Sequence, residues 1–323
     1  MNSRPVQIWL LISAALVFCM AVIGAITRLT ESGLSIAEWK PLIGALPPLS
    51  EKEWNRVFDL YKQIPEYQQV NSWMGLEDFK KIFFWEWFHR LFGRVIGLAY
   101  GLPLLYFWVK KQIPEGYKGR LIFILVLGFA QGFMGWFMVM SGLSQRTDVS
   151  HYRLAAHLSL AVFIYAMLLW TWMDMKYGRA KWSFDNFCIK RHGLISLTLL
   201  TITMVWGAFT AGLNGGFIYN TWPLMGGSFM PPEVKSVASV LDNGAAVQFV
   251  HRWLAIVTGL VVLAYAWRIK AGALAGMTFV QIALGISTVL LVVPIPLAAT
   301  HQAGALILLA LLLFALHKHF AAR

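Results

Sequence analysis

The chain alternates between long runs with almost no charge and shorter polar connections. Uninterrupted apolar runs lie near 7–28, 86–109, 119–141, 151–173, 192–213, 246–268, 272–291 and 298–317. Each is close to the ~20 residues a helix needs to cross the hydrocarbon of a bilayer. Each is also far longer than an ordinary strand of about 4–8 residues. The pattern predicts an all-α integral membrane fold with eight transmembrane helices. The first run exceeds the apolar segment of a signal peptide and follows a single basic residue, Arg4, so it reads as a retained helix.

Two connections stand out by length. Residues 29–85 contain Ser50-Glu51-Lys52-Glu53, a capping-box pattern, followed by Trp54, Val57, Phe58 and Tyr61 at helical spacing. This predicts an amphipathic helix, lying on the membrane or covering something beneath it. Residues 214–245 hold Gly215-Gly216, Gly226-Gly227 and Pro231-Pro232 and read as a mostly irregular loop.

Composition agrees with the pattern. Hydrophobic residues make up 58% and charged residues 13% of 323, against roughly 45–50% and about 25% in soluble domains. The two soluble domains that such a length would otherwise suggest are excluded. The net charge of +12 points to topology. With a cytoplasmic N-terminus, the cytoplasmic segments carry 14 Lys and Arg, from Arg4 to Arg323, against Glu115, Asp174 and Asp185, which is nearly all of the net charge. That asymmetry puts both termini in the cytoplasm and the two long connections outside, and it calls for no nucleic-acid partner. Cys19 lies in the first run and Cys188 in a basic loop, with no CxxC, so a disulfide, a c-type haem and a thiolate zinc site are not expected.

The two halves of the chain resemble each other. His89-Arg90 with Gly97-Leu98 recurs as His251-Arg252 with Gly259-Leu260 at an offset of 162. Gly24-Ala25-Ile26-Thr27 recurs as Gly207-Ala208-Phe209-Thr210 at 183, and Pro41-Leu42-Ile43-Gly44 as Pro223-Leu224-Met225-Gly226 at 182. Gln131 and Gly135 recur as Gln281 and Gly285 at 150, and His157 as His301 at 144. Five matches in chain order predict two parallel-repeat four-helix bundles, residues 1–180 with the long loop and residues 181–323, related by an axis along the membrane normal.

Four histidines, His89, His157, His251 and His301, fall inside apolar runs, each near the outer end. Ionisable side chains there are costly and usually functional. Two imidazoles at one level on facing helices suit axial ligation of a haem. Zinc or copper would need a third protein ligand, and none is at hand. Gly93, Gly97 and Gly101 make a smooth strip on the second span and Gly259 a lesser one on the sixth; both suit a flat macrocycle or close helix packing. Arg90 and Arg252 are placed to pair with propionates or with lipid phosphate. Glu86 precedes His89 by one turn, where the other half has Gln248. Residues i and i+3 share a helix face, so Glu86 is the candidate acid–base group and belongs to one site only.

The segments Thr27-Arg28-Leu29-Thr30-Glu31-Ser32-Gly33-Leu34-Ser35 with Trp39-Lys40-Pro41, Glu86-Trp87-Phe88-His89-Arg90, Gln131-Gly132-Phe133-Met134-Gly135 and His251-Arg252 resemble haem A synthase along nearly the whole chain. The resemblance implies an enzyme of the bacterial inner membrane that oxidises the C8 methyl of haem O to the formyl of haem A. The route runs through a hydroxymethyl intermediate, with water as the oxygen source. It implies a resident haem b between His251 and His301, with Arg252 beside it. It also implies a substrate haem near His89, His157 and Arg90, catalysis by Glu86, sites toward the periplasm, and delivery by haem O synthase. Both His89 and His157, or only one, could ligate the substrate iron, and no residue names the electron acceptor. Residues 29–85 lack the cysteine pair that some bacterial members carry, so the chain is closer to the proteobacterial and mitochondrial type. The rival reading is a bis-histidine dihaem electron carrier. A transporter is a weaker one, because broken helices and midplane charges are missing.

Overall fold

The computed structural model describes residues 3–39, 43–143, 146–181 and 185–321. Lys40 and Pro41 of the family motif, Leu42 of the repeat and Arg323 of the charge count lie outside them. The described chain is all-helical. In order the helices are α1 (Arg4–Leu29), α2 (Glu51–Tyr61), α3 (Leu76–Val109), α4 (Lys118–Val139), α5 (His151–Tyr177), α6 (Phe187–Gly212), α7 (Ser239–Asp242), α8 (Gly244–Arg268), α9 (Gly272–Leu290) and α10 (Ile295–Phe320). All but α2 and α7 are long and apolar enough to cross a membrane, and each coincides with one of the eight apolar runs. Helices of this kind satisfy every backbone group internally, as a bilayer demands. This is a multi-pass membrane protein.

Local chemistry sets the helix ends. Asn243 caps α8, its side-chain oxygen accepting from the amides of Ala245 at 3.0 Å and Ala246 at 3.1 Å. Ser50 caps α2 by accepting from the amide of Glu53 at 3.3 Å, as its capping-box pattern predicts. The largest departure from the sequence reading is at α3. It begins at Leu76 rather than near 86, so it extends well beyond the apolar run. Glu77, Asp78, Lys80 and Lys81 make its outer turns polar, but Phe79, Ile82 and Phe83 recur on one face and are buried.

That buried face is what α2 covers. Phe58 and Tyr61 of α2 pack with Phe79 and Phe83 of α3 and with Leu34 and Val149, while Trp54 meets Phe83 edge-on at 5.0 Å. The amphipathic helix therefore caps the extension of α3. At ~25 cal/mol per Å² of apolar surface, burying each such aromatic contributes about 2 kcal/mol. The second long connection holds a 3-10 turn at Gly215–Phe217, the short α7 and otherwise irregular backbone.

In the membrane, α1 packs on α3 and α5, α3 on α4, and α4 on α5, while α6 packs on α8 and α10, α8 on α9, and α9 on α10. Further contacts of α5 with α6 and α10, and of α1 with α10, join these two sets. A single hydrophobic core runs through both, from Leu10 and Leu121 to Tyr265 and Leu312.

The ends lacking long loops are tied by a buried ion cluster. Asp174 of α5 accepts from Arg120 of α4, from His317 of α10 at 2.8 Å and from the amide of Ala180 at 3.0 Å. Trp170 lies edge-on to the His317 ring at 4.9 Å. The amide of Lys181 bonds the carbonyl of Phe320 at 2.8 Å, and Gln7 reaches the carbonyl of Met175, so the start of α1 and the end of α10 both lie at this face. At the long-loop face Arg28, at the end of α1, donates to the carbonyl of Ala211 and to Asn214 at the end of α6.

Candidate functional site

The four span histidines share one device: each rests on a glycine of the preceding span. A Cβ added at Gly24 of α1 would stand 3.2 Å from Cε1 of His89, and at Gly207 of α6 3.1 Å from Cε1 of His251. At Gly135 of α4 it would stand 3.1 Å from His157, and at Gly285 of α9 2.9 Å from His301. Such distances are tighter than ordinary van der Waals contact, so a larger residue would displace the ring. The glycines are those that recur at offsets 183 and 150. Their sequence spacing had no stated purpose; the structure supplies one, a flat seat for an imidazole.

The glutamines that recur with them have a task as well. Gln131 donates through its amide to the carbonyl of His157 at 3.1 Å and lies 3.4 Å from its Nε2. Gln281 does the same for His301, 2.9 Å from the carbonyl and 3.2 Å from Nδ1. His89 and His157 lie within electrostatic reach of each other, and so do His251 and His301. The glycine strip divides. Gly97 and Gly101 face open space and Gly93 packs on Met20, but Gly259 would meet Ile282 at 2.9 Å, which is helix packing between α8 and α9.

Both arginines turn to loop carbonyls. Arg252 donates to the carbonyls of Tyr219 and Thr221, and its buried Nε has no partner among the described residues. Arg90 donates to the carbonyls of Ile36 at 3.1 Å and Glu38 at 3.2 Å and to Glu86 Oε1 at 2.6 Å. Each arginine thus ties the connection that follows α1 or α6 to the helix that bears its histidine. Backbone acceptors carry no sequence signature, which is why these partners were not legible.

Glu86 is 3% exposed. Besides Arg90 it accepts at Oε2 from Ser35 Oγ at 2.8 Å and from the amide of Ile36 at 2.7 Å. Ser35 and Ile36 follow α1, and Gly24 under His89 belongs to α1, so Glu86 and His89 both face α1 and the segment trailing it. The counterpart Gln248 donates to the carbonyl of Tyr219 at 3.0 Å and, being uncharged, forms no ion pair. Under α2 lies a further acid that sequence reading passed over. Glu66 accepts from Tyr61, which in turn accepts from Asn71, all three buried. Burial, with the nearby charges of Glu86, Asp148 and Glu31, pushes the Glu66 carboxyl up to about 8.

A haem fits these residues better than a bare metal ion. Among the described residues no three His, Cys, Asp or Glu side chains gather to hold an ion. Ring nitrogens Nδ1 of His89 and His157 are buried without partners among the described residues, as are the amide oxygens of Gln131 and Gln281, whose amide nitrogens bond His157 and His301. Of the remaining histidines, His151 and His192 bond backbone carbonyls of Leu241 and Val261, and His317 belongs to the ion cluster.

Eight apolar helices, four of them carrying a glycine-seated histidine, define a helical multi-pass membrane protein. The model of the cytochrome oxidase assembly protein family matches residues 7–313. Heme A synthase of Rhodospirillum centenum is 53% identical over 97% of this chain and 88% of that protein. Heme A synthase of Parvibaculum lavamentivorans is 47% identical over 98% and 95%, and that of Nitrosospira multiformis 45% over 98% and 93%. The chain belongs to the haem A synthase family, the haem-modifying oxidoreductases of cytochrome oxidase assembly.

Proposed function

We propose that this chain oxidises the C8 methyl of haem O to the formyl of haem A, through a hydroxymethyl intermediate. The observation that carries this reading is the asymmetry between two otherwise matched histidine pairs. Both are seated on glycine, but among the described residues only the N-terminal pair has a buried, ion-paired carboxylate one helical turn away. In this reading residues 1–180 receive the substrate haem near His89 and His157, and residues 181–323 hold a resident haem b between His251 and His301. A bound haem b supplies one-electron redox chemistry.

The chain's own residues divide the remaining work. With water as the oxygen source, each oxidation step replaces a C–H bond of the methyl carbon on C8 by a C–O bond and releases two protons and two electrons, the electrons leaving to an external acceptor. The second step gives a geminal diol that loses water to the formyl group. Glu86 accepts a proton, while Arg90 and Ser35 hold its Oε1 and Oε2 in place. The capped loop 29–85 shields the site from water on the long-loop face. In this reading that face looks toward the periplasm and both termini lie on the cytoplasmic side of the inner membrane, which the charge asymmetry supports. Haem O synthase is the partner that supplies the substrate.

The test is co-expression with haem O synthase, followed by chromatography and mass analysis of extracted haems. Haem A with its hydroxymethyl precursor is the expected result. Recovery of unmodified haem alone would identify a dihaem electron carrier instead.

A further inference from the structure

The two repeat-related histidines His251 and His89 are seated alike, yet they differ at Nδ1. Their Nδ1 atoms stand at the same 3.6 Å from the Cβ position of Gly207 and Gly24. His251 Nδ1 lies 3.2 Å from the carbonyl oxygen of Thr203, whereas His89 Nδ1 is buried with no partner among the described residues. A carbonyl only accepts, so Nδ1 of His251 carries the proton and its Nε2 presents a lone pair. Nothing comparable fixes His89.

Thr203, which supplies that carbonyl, also makes a helix contact through its side chain. Thr203 Oγ1 donates to the carbonyl of Leu199 at 2.8 Å and therefore accepts from Thr258 Oγ1 at 2.7 Å. Both threonines are buried, and the pair locks α6 to α8 beside the ring. At the repeat offsets of 183 and 162, the equivalent positions in the first half are Met20 and Ile96, which have no hydroxyl. Met20 instead pushes its methyl against Gly93, 3.2 Å from where a Cβ would stand.

We infer that the Thr203–Thr258 hydroxyl pair is a positioning device that holds His251 as a permanent haem ligand, and that its replacement by Met20 and Ile96 leaves His89 free to release its haem. This rests on the assignment of the resident haem to the C-terminal pair. A ring whose Nδ1–H is held by an acceptor is a more basic and better oriented iron ligand, and losing such a partner typically costs roughly 10–100-fold in metal affinity. A substrate haem must leave after oxidation, so the same grip at His89 would work against turnover.

The test uses the full-length, haem-loaded protein. Thr258→Val removes the donated hydroxyl at nearly constant volume, and Thr258→Ser keeps it. Thr258→Val is expected to raise the midpoint potential of the resident haem and to speed its loss to apomyoglobin by about tenfold or more, while Thr258→Ser stays like the parent. In the other half, Met20→Thr with Ile96→Thr is expected to slow release of the N-terminal haem. An unchanged potential and haem loss in Thr258→Val would overturn the inference, as would a serine variant that shifts as far as the valine. Should Thr258→Val fail to assemble, unaltered release from the Met20/Ile96 double variant overturns it. His251→Ala run alongside separates the two claims: if that variant keeps its low-spin haem, the resident-site assignment itself has failed.

Discussion

Arg90 and Glu86 are ion-paired at 2.6 Å, one helical turn apart on α3, and each also reaches the segment that follows α1. The pair makes the candidate catalytic acid part of the structure that closes the site. Glu86→Gln keeps the shape and the bonds from Ser35 and Ile36 but removes the charge. That variant is expected to retain its haem b spectrum while haem O or the hydroxymethyl intermediate accumulates, measured by chromatography of extracted haems. Normal haem A output would remove Glu86 from the chemistry.

The histidine pairs separate by spectrum. His251→Ala or His301→Ala is expected to abolish the reduced low-spin haem band in purified protein, and His89→Ala or His157→Ala to leave it. The opposite pattern would exchange the roles of the two halves.

The glycine seats give a prediction independent of the ligands. In Gly285→Ala the new methyl would stand 2.9 Å from the His301 ring, and the displacement costs about 1–3 kcal/mol by overpacking. The protein should still reach the membrane, with its resident haem bound less tightly, as titration of the purified protein with haem would show. Gly272→Ala, where nothing lies within 4 Å, is the control and should match the parent.

Glu66 makes the cap over α3 sensitive to pH. Its carboxyl is raised from 4.5 to about 8, chiefly by burial. Below 4.5 both folded and unfolded forms hold the proton and the cap has its full stability. Between 4.5 and 8 only the folded form holds it, so stability falls as pH rises, and above 8 that contribution is gone. Hydrogen exchange of α2 across this window should show the loss, and Glu66→Gln should flatten it.

The Asp174 cluster is expected to hold the opposite face together. Asp174→Ala leaves Arg120 and His317 without their buried acceptor, and removing one partner of such a set costs about 3–5 kcal/mol. Thermal unfolding in detergent should drop accordingly, while the haem spectrum of folded protein stays unchanged.

The eight spans were legible because a bilayer admits little but long apolar helices, and polar connections mark their ends. The outer turns of α3 were not, since Glu77, Asp78, Lys80 and Lys81 lower the local hydrophobicity while Phe79 and Phe83 bury the other face. The four histidines announced themselves by their cost in an apolar run. Their glycine seats were visible as a repeat but not as seats, because the packing of one helix on another decides which ring meets which glycine. The tie of Asp174 to His317 joins residues 143 apart in sequence, and no local pattern reports it.

One contact crosses between the two histidine pairs. Gln302, next to His301 on α10, donates to the carbonyl of Ala21 at 2.6 Å, one turn before Gly24, the seat of His89. The floor beneath one imidazole is thereby braced against the helix that bears another. α1 and α10 are thus tied close to both imidazoles, and neither helix shifts there without loading the other.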